Sequence, residues 1–157
     1  MSTRGAIGFI KNDVEKIGYI GGSSFPDWTG KQLLKYIENK TLEELNNVFE
    51  SIIFIDEDEE SAFDPDNGFA TQFEDYKTFL YNSLFCEWAY IINLNTKKLE
   101  IYEGFNKNPN AKGRYANHYA YDDDKRYCGI ALVKEIPLNK IFKGKIKVIG
   151  NEFVEEK

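Results

Sequence analysis

A nucleophile-and-base mechanism in this chain would have to run through one histidine, because His118 is the only one in 157 residues. It stands in a stretch of Tyr, Asn and Gly, away from any G-x-S-x-G elbow, and neither Cys86 nor Cys128 carries a cysteine-protease context. His118 is therefore read as a binding residue, and no catalytic residue is assigned. The acidic run DEDEESAFDPD, residues 56–66, holds seven carboxylates. A calcium loop starting at Asp56 would need glycine at Ser61 and a bidentate glutamate at Asn67, so the EF-hand pattern fails. Asp122, Asp123 and Asp124 form a second acidic cluster without ligand spacing. Both runs read as solvated surface, and no metal and no cofactor is expected. The glycines at 5, 8, 18, 21, 22 and 30 match neither phosphate-binding fingerprint, although Gly21 and Gly22 before two serines could form an anion-accepting turn.

The remaining chemistry is recognition. The chain has three arginines, Arg4, Arg114 and Arg126. Guanidinium forks beside aromatic faces suit an anionic, nucleotide-like ligand. The expected binding set is Arg4, Arg114 and Arg126 for charge and Ser23 and Ser24 for hydrogen bonds. Trp28, Trp88, Tyr115 and Tyr121 would supply stacking surface, with His118 beside them. These residues meet only if the 21–30 loop and the 105–127 loop form two walls of one pocket. Arg4 is the most informative of them: alone in an apolar strand, it is either paired with a carboxylate such as Glu87 or aimed at a ligand.

Composition bounds the partners. Net charge is −6 and the isoelectric point is near 4.9, so the surface field repels phosphate backbones and general nucleic-acid binding is disfavoured. No apolar run approaches the ~20 residues a bilayer span needs, and no secretory signal opens the chain. A cytoplasmic protein with reduced thiols is expected, with no membrane partner. Length and composition fit one domain, residues 1–157. Oligomeric state is open.

The elements that must position these residues follow from periodicity. Residues 4–10 and 17–20 read as a hairpin about the polar turn KNDVEK. GGSSFPDWTG, residues 21–30, is a loop. Leu33, Leu34 and Ile37 mark a helix over 31–39, and T-x-x-E at Thr41 and Glu44 is a capping box that opens a second helix. Phe73, Tyr76, Phe79 and Leu80 predict a third over 70–83. Residues 87–103 read as a hairpin turning at Asn95–Lys97, 104–127 as a long polar irregular loop or a poorly defined strand pair, and 129–136 and 143–149 as further strands. Lys143, Lys145 and Lys147 alternate with apolar residues in the last, as a guarded edge strand does. The fold class is α+β: a mostly antiparallel sheet of about five to seven strands with about three helices packed on it.

Three stretches, STRGAIGF, SSFPDWTG and FCEWAYIINLNTKKLEIYEGFNK, resemble a family of small proteins of bacteria and their phages. Members of that family open with M-small-T-R-G and carry an N-H-x-D-S-Y-P-x-x-x-G segment. Where that segment has Asn, His and Asp, this chain has Ile20, Gly21 and Ser23. The N-terminal strand pair is also similar, as an analogy, to N-terminal nucleophile hydrolases, which implies Ser2 as a nucleophile after Met1 removal. The leading expectation is a non-catalytic binding or inhibitor protein, phage-encoded on the resemblance and then acting in the host cytoplasm. It would sequester a small anionic ligand or block a host protein. A Ser2-dependent hydrolase and an acidic decoy for a basic partner are the alternatives.

Overall fold

The computed structural model describes residues 3–56, 61–117 and 126–156. Gly5–Lys11 (β1) and Val14–Ile20 (β2) pair antiparallel. Their turn is two residues, Asn12 and Asp13, both at positive φ. Asn and Asp tolerate that conformation better than most residues, and its twist matches that of the strands. Residues 21–25 then lead into a π-helical turn, Pro26–Gly30, in which the Phe25 carbonyl accepts the amides of Trp28 and Thr29. It runs directly into Lys31–Glu38 (α1), and Leu42–Ser51 (α2) follows. The Thr41 hydroxyl accepts the Glu44 amide at 3.1 Å, and the Glu44 carboxylate accepts the Thr41 amide at 3.0 Å. The capping box read from the sequence is present in full.

Four two-residue strands come next: Ile53–Phe54 (β3), Phe63–Asp64 (β4), Gly68–Phe69 (β5) and Gln72–Phe73 (β6). β3 pairs parallel with β6, and β4 antiparallel with β5. The helix expected over 70–83 does not form. Only a 3-10 turn, Lys77–Tyr81, occupies that region. The backbone there is taken by partners distant in sequence: Thr71 and Phe73 carbonyls accept the Ile53 and Ile55 amides, and the Tyr76 amide donates to Ile17. Phe73 and Leu80 are buried as expected, but from extended and 3-10 segments, because tertiary partners override a short periodic pattern.

Trp88–Asn93 (β7) and Lys98–Glu103 (β8) form the second hairpin. The Asn93 side-chain carbonyl accepts the Asn95 and Thr96 amides and fixes the turn. Ala131–Pro137 (β9) adds antiparallel to β8, and Leu138–Phe142 (α3) follows. Ile146–Ile149 (β10) pairs with Glu152–Glu155 (β11). The expected strand 143–149 is thus shorter, and it belongs to this separate hairpin. Gly144, at φ +69, turns the chain out of α3 before the strand begins.

The fold is α+β. Its main sheet has five strands in the order β2-β1-β7-β8-β9. Three of its pairings are antiparallel, but β1 and β7 run parallel, with Gly5 opposite Trp88 and Ile10 opposite Asn93. The chain between β2 and β7 carries α1 and α2 and returns beside β1, which makes that one pairing parallel.

Alternation along the strands builds two cores. On one face Ile7, Phe9, Tyr90, Ile92, Leu99 and Ile101 meet Leu33 and Ile37 of α1, Leu45 and Phe49 of α2, and Leu138 and Ile141 of α3. On the other, Ala6, Ile10, Ile17, Ala89, Ile91 and Tyr102 meet Leu80, Cys86, Tyr115 and Ile130. The second face therefore has no helix on it; the 3-10 turn and the long loop after β8 cover it. Cys86 and Cys128 are buried free thiols. Among the described residues no helix is long and apolar enough to cross a membrane. Replacing Thr41 by Ala should destabilise the protein by about 1 kcal/mol, read as a lower urea midpoint at unchanged slope.

Candidate functional site

On the loop-covered face, Glu100 of β8 points inward, and its carboxylate is only 5% exposed. Arg114 holds it bidentately: Nη1 donates to Oε1 at 2.6 Å and Nη2 to Oε2 at 3.0 Å. The Tyr102 hydroxyl donates to Oε1 at 2.7 Å, and the Asn93 amide to Oε2 at 3.0 Å. Burial opposes ionisation of Glu100, but the hydrogen bonds from Arg114, Tyr102 and Asn93, with the Arg114 charge, outweigh it and hold the carboxyl below the usual range. Tyr115 closes the cluster by donating to Glu15 Oε2 at 3.0 Å. Burial, followed by the Glu15 carboxylate, pushes its hydroxyl pKa well up. Both Glu100 oxygens carry two donors, and no fully buried side-chain N or O among the described residues lacks a partner. A polar cluster so completely paired has little left with which to hold a ligand.

Local hydrogen bonds fix the first part of the segment after β8, residues 104–117. Asn106 and Asn108 side chains accept the amides of Asn108 and Asn110, and the Asn106 amide nitrogen donates to the Gly129 carbonyl. Phe105 and Leu132 amides bond to Ser83 and Lys112 carbonyls. The Asn-rich composition thus encodes successive Asx turns that lay Arg114 and Tyr115 over the sheet.

The serine loop lies over the opposite face. Ser24 is fully buried, its hydroxyl donates to the Arg4 carbonyl at 3.0 Å, and its own carbonyl accepts the Tyr90 hydroxyl at 2.7 Å. Ser23, at φ +54, gives its carbonyl to the Thr29 hydroxyl. A side chain at Gly5 would lie 2.4 Å from the Trp88 carbonyl and 2.6 Å from Ser24 Cβ, so glycine after Arg4 is what lets this loop close. Trp88 lines a groove of about 390 Å³ with Ile101, Val133 and Phe153, while Trp28 is exposed on the π-helical turn.

The pocket expected between the two loops is therefore corrected. Arg114 and Tyr115 lie on one face of the sheet, Ser24 and Trp88 on the other. Alternation on a single sheet separates them. His118 and Tyr121 fall outside the described residues, as does Ser2.

Arg4 and Arg126 are placed differently, at the end of the sheet where β1 and β7 begin and β8 ends. The Arg4 carbonyl accepts the Glu87 amide, and the Glu87 carbonyl accepts the Gly104 amide, which brings the three segments side by side. The Arg4 guanidinium lies 6.0 Å from the centroid of the Phe85 ring, and among the described residues it meets no carboxylate. Arg4 and Glu87 are thus linked through their backbones, and the ion pair considered for them is not made. Phe105 packs edge-on against Tyr127, over which stand Lys107 at 5.2 Å and Arg126 at 5.9 Å. Phe85 and Phe105 are 50% and 53% exposed. This is an open rim of rings and cations. Phe85, Phe105, Lys107 and Tyr127 escape a sequence reading because each sits in a different segment; the only signal was apolar rings within polar loops.

No protein-family model, curated protein or solved structure matches this chain.

Arg114→Ala strands the Glu100 charge and should cost about 2–3 kcal/mol, below the roughly 3–5 kcal/mol of a fully buried pair because Arg114 keeps one side in water. Glu100 is held below its unfolded pKa of about 4.3, so its contribution is present above that pH and fades as pH falls through the folded value. Denaturant melts between pH 7 and pH 3 should therefore show a steeper acid loss in the native protein than in Glu100→Gln.

Proposed function

We propose that this protein is a non-catalytic binding protein that captures a small anionic, nucleotide-like ligand on the rim formed by Arg4, Phe85, Phe105, Lys107 and Tyr127. The supporting observation is Arg4: a cation laid over a half-exposed ring, without a carboxylate partner among the described residues. Arg114, by contrast, has its charge spent on Glu100. A guanidinium beside a free aromatic face offers a phosphate its fork and a base its stacking surface at once. Gly5, by admitting the Ser24 loop, fixes the strand start from which Arg4 projects. The chain's overall negative charge disfavours long polyanions, while a compact ligand feels mainly the local cations.

Titration with AMP and ADP, followed by amide and aromatic NMR shifts, tests the reading. Shifts should concentrate at residues 4, 85, 105, 107 and 127, and inorganic phosphate should bind more weakly because it cannot stack. Arg4→Gln should weaken nucleotide binding about tenfold, the loss of one charge-assisted hydrogen bond, while leaving the urea midpoint within error. Absence of shifts at the rim, or equal affinity of Arg4→Gln, would overturn the reading.

A further inference from the structure

On the face of the main sheet that carries the helices, the last cross-strand row is uneven in size. Trp88 stands opposite Gly5 of β1 and Glu103 of β8, and Glu103 stands opposite Ala131 of β9. Residues paired in this way share a face, so one indole and one carboxylate rise between two positions with little or no side chain. In the next row Tyr90 lies opposite Ile101, and Phe153 of β11 packs over Tyr90 with ring centroids 6.3 Å apart. Phe153 is buried and reaches Gly30, where a Cβ would lie 2.8 Å from its ring, and this anchors β11 above the sheet. Between β11 and the uneven row lies the groove of about 390 Å³. Trp88 is half-buried, so part of its indole stays open to that space.

Two further features set the chemistry of the groove. The register of β8 and β9 shifts, since Ile101 pairs with Lys134 but Tyr102 with Leu132. The extra residue is Val133, which lines the groove and is 50% exposed. A bulge re-aims a side chain in this manner. The second feature is unanswered charge. Glu103 and Glu152 line the groove and are both exposed. The lysines that pair in this part of the molecule take other carboxylates: Lys98 takes Glu135, Lys140 takes Glu155 and Lys147 takes Glu156. Among the described residues neither Glu103 nor Glu152 has a cation partner. Lys134 is the basic residue of the lining, but it stands one row in from Glu103, and its charge is felt at Glu155.

An open indole face, two unpaired carboxylates and an apolar floor are together complementary to a cation that carries an apolar body. A bare metal ion would lack a ligand set, since no group of three His, Cys, Asp or Glu converges among the described residues. We propose that this groove binds a small primary amine with an apolar body. The ammonium lies against the Trp88 ring and the carboxylates of Glu103 and Glu152, while the hydrocarbon part covers Ile101, Val133 and Phe153. The volume falls near the lower end of the range of about 300–1,000 Å³ for small-molecule clefts, which suits a ligand of one or two rings. The net charge of −6 adds a long-range field that draws cations toward the surface. This groove shares no residue with the rim of Arg4, so either can fail without the other.

The probes are phenethylamine, which is protonated at neutral pH, its uncharged analogue phenylethanol and the anion phenylacetate. Each is titrated into the full chain and followed by NMR. Phenethylamine should shift the Trp88 indole N–H and the amides of residues 103, 133 and 152. It should bind at least about tenfold more tightly than phenylethanol, with phenylacetate the weakest. Glu103→Gln and Glu152→Gln, each checked for an unchanged urea midpoint, should weaken the amine about threefold singly and about tenfold together. Lys134→Gln, which removes the like charge of the lining, should tighten it about twofold. No shift at Trp88, equal affinity for amine and alcohol, or undiminished affinity in the double glutamine variant overturns the proposal. Tightest binding of phenylacetate, lost in Lys134→Gln, overturns it in favour of an anion site on Lys134.

Discussion

A carboxylate buried in a protein interior is tolerable only when its charge is answered, and Glu100 is answered on every side. Arg114 supplies a bidentate pair, and Tyr102 and Asn93 supply one donor each. The consequence reaches beyond the pair. Arg114 belongs to the long segment between β8 and β9, so its bond to Glu100 ties that segment across a sheet face that carries no helix. Tyr115, the next residue, enters the apolar space beside Tyr102 and reaches Glu15 on the far strand β2. The Arg114–Glu100 pair and the Tyr115–Glu15 hydrogen bond hold this part of the segment over the second core.

That use of Arg114 and Tyr115 reshapes the functional question. Side chains whose types suggest ligand capture are here bound to other parts of the same chain. Ser24 is consumed in the same manner on the opposite face, where it joins the start of β1 to Tyr90. What stays exposed lies at the margins: a rim of cations and half-exposed rings at one end of the sheet, and the apolar Ile53 and Phe54 of β3. Both are open surfaces and neither is a deep cavity. Recognition at such a surface depends on local charge and on ring faces, which the large acidic excess elsewhere on the surface does not cancel at short range.

Local signals in the chain are read correctly where their physics is local. Thr41 and Glu44 lie within one helical turn of each other, so their capping box was legible, and so was the stripe of Leu33, Leu34 and Ile37. Asn95 to Lys97 marked its turn for the same reason. Phe73 to Leu80 misled, since helical spacing there is offset by backbone partners that lie tens of residues away, such as Ile17 and Ile53. The burial of Glu100 has no local signal: it alternates with Leu99 and Ile101, and only the return of Arg114 turns its face inside.

Sequence alone, then, determined the α+β class, the two central hairpins and the first two helices. Those follow from interactions between near neighbours and from the two-residue period of a strand. Tertiary structure alone decided that β1 and β7 run parallel, that the serine loop and the arginine–tyrosine loop cover opposite faces, and that Arg4 rests on a ring with no carboxylate beside it among the described residues. Each of these depends on which distant segments meet, and the free energy of such meetings is set by burial and pairing across the whole sheet, which no window of neighbouring residues contains.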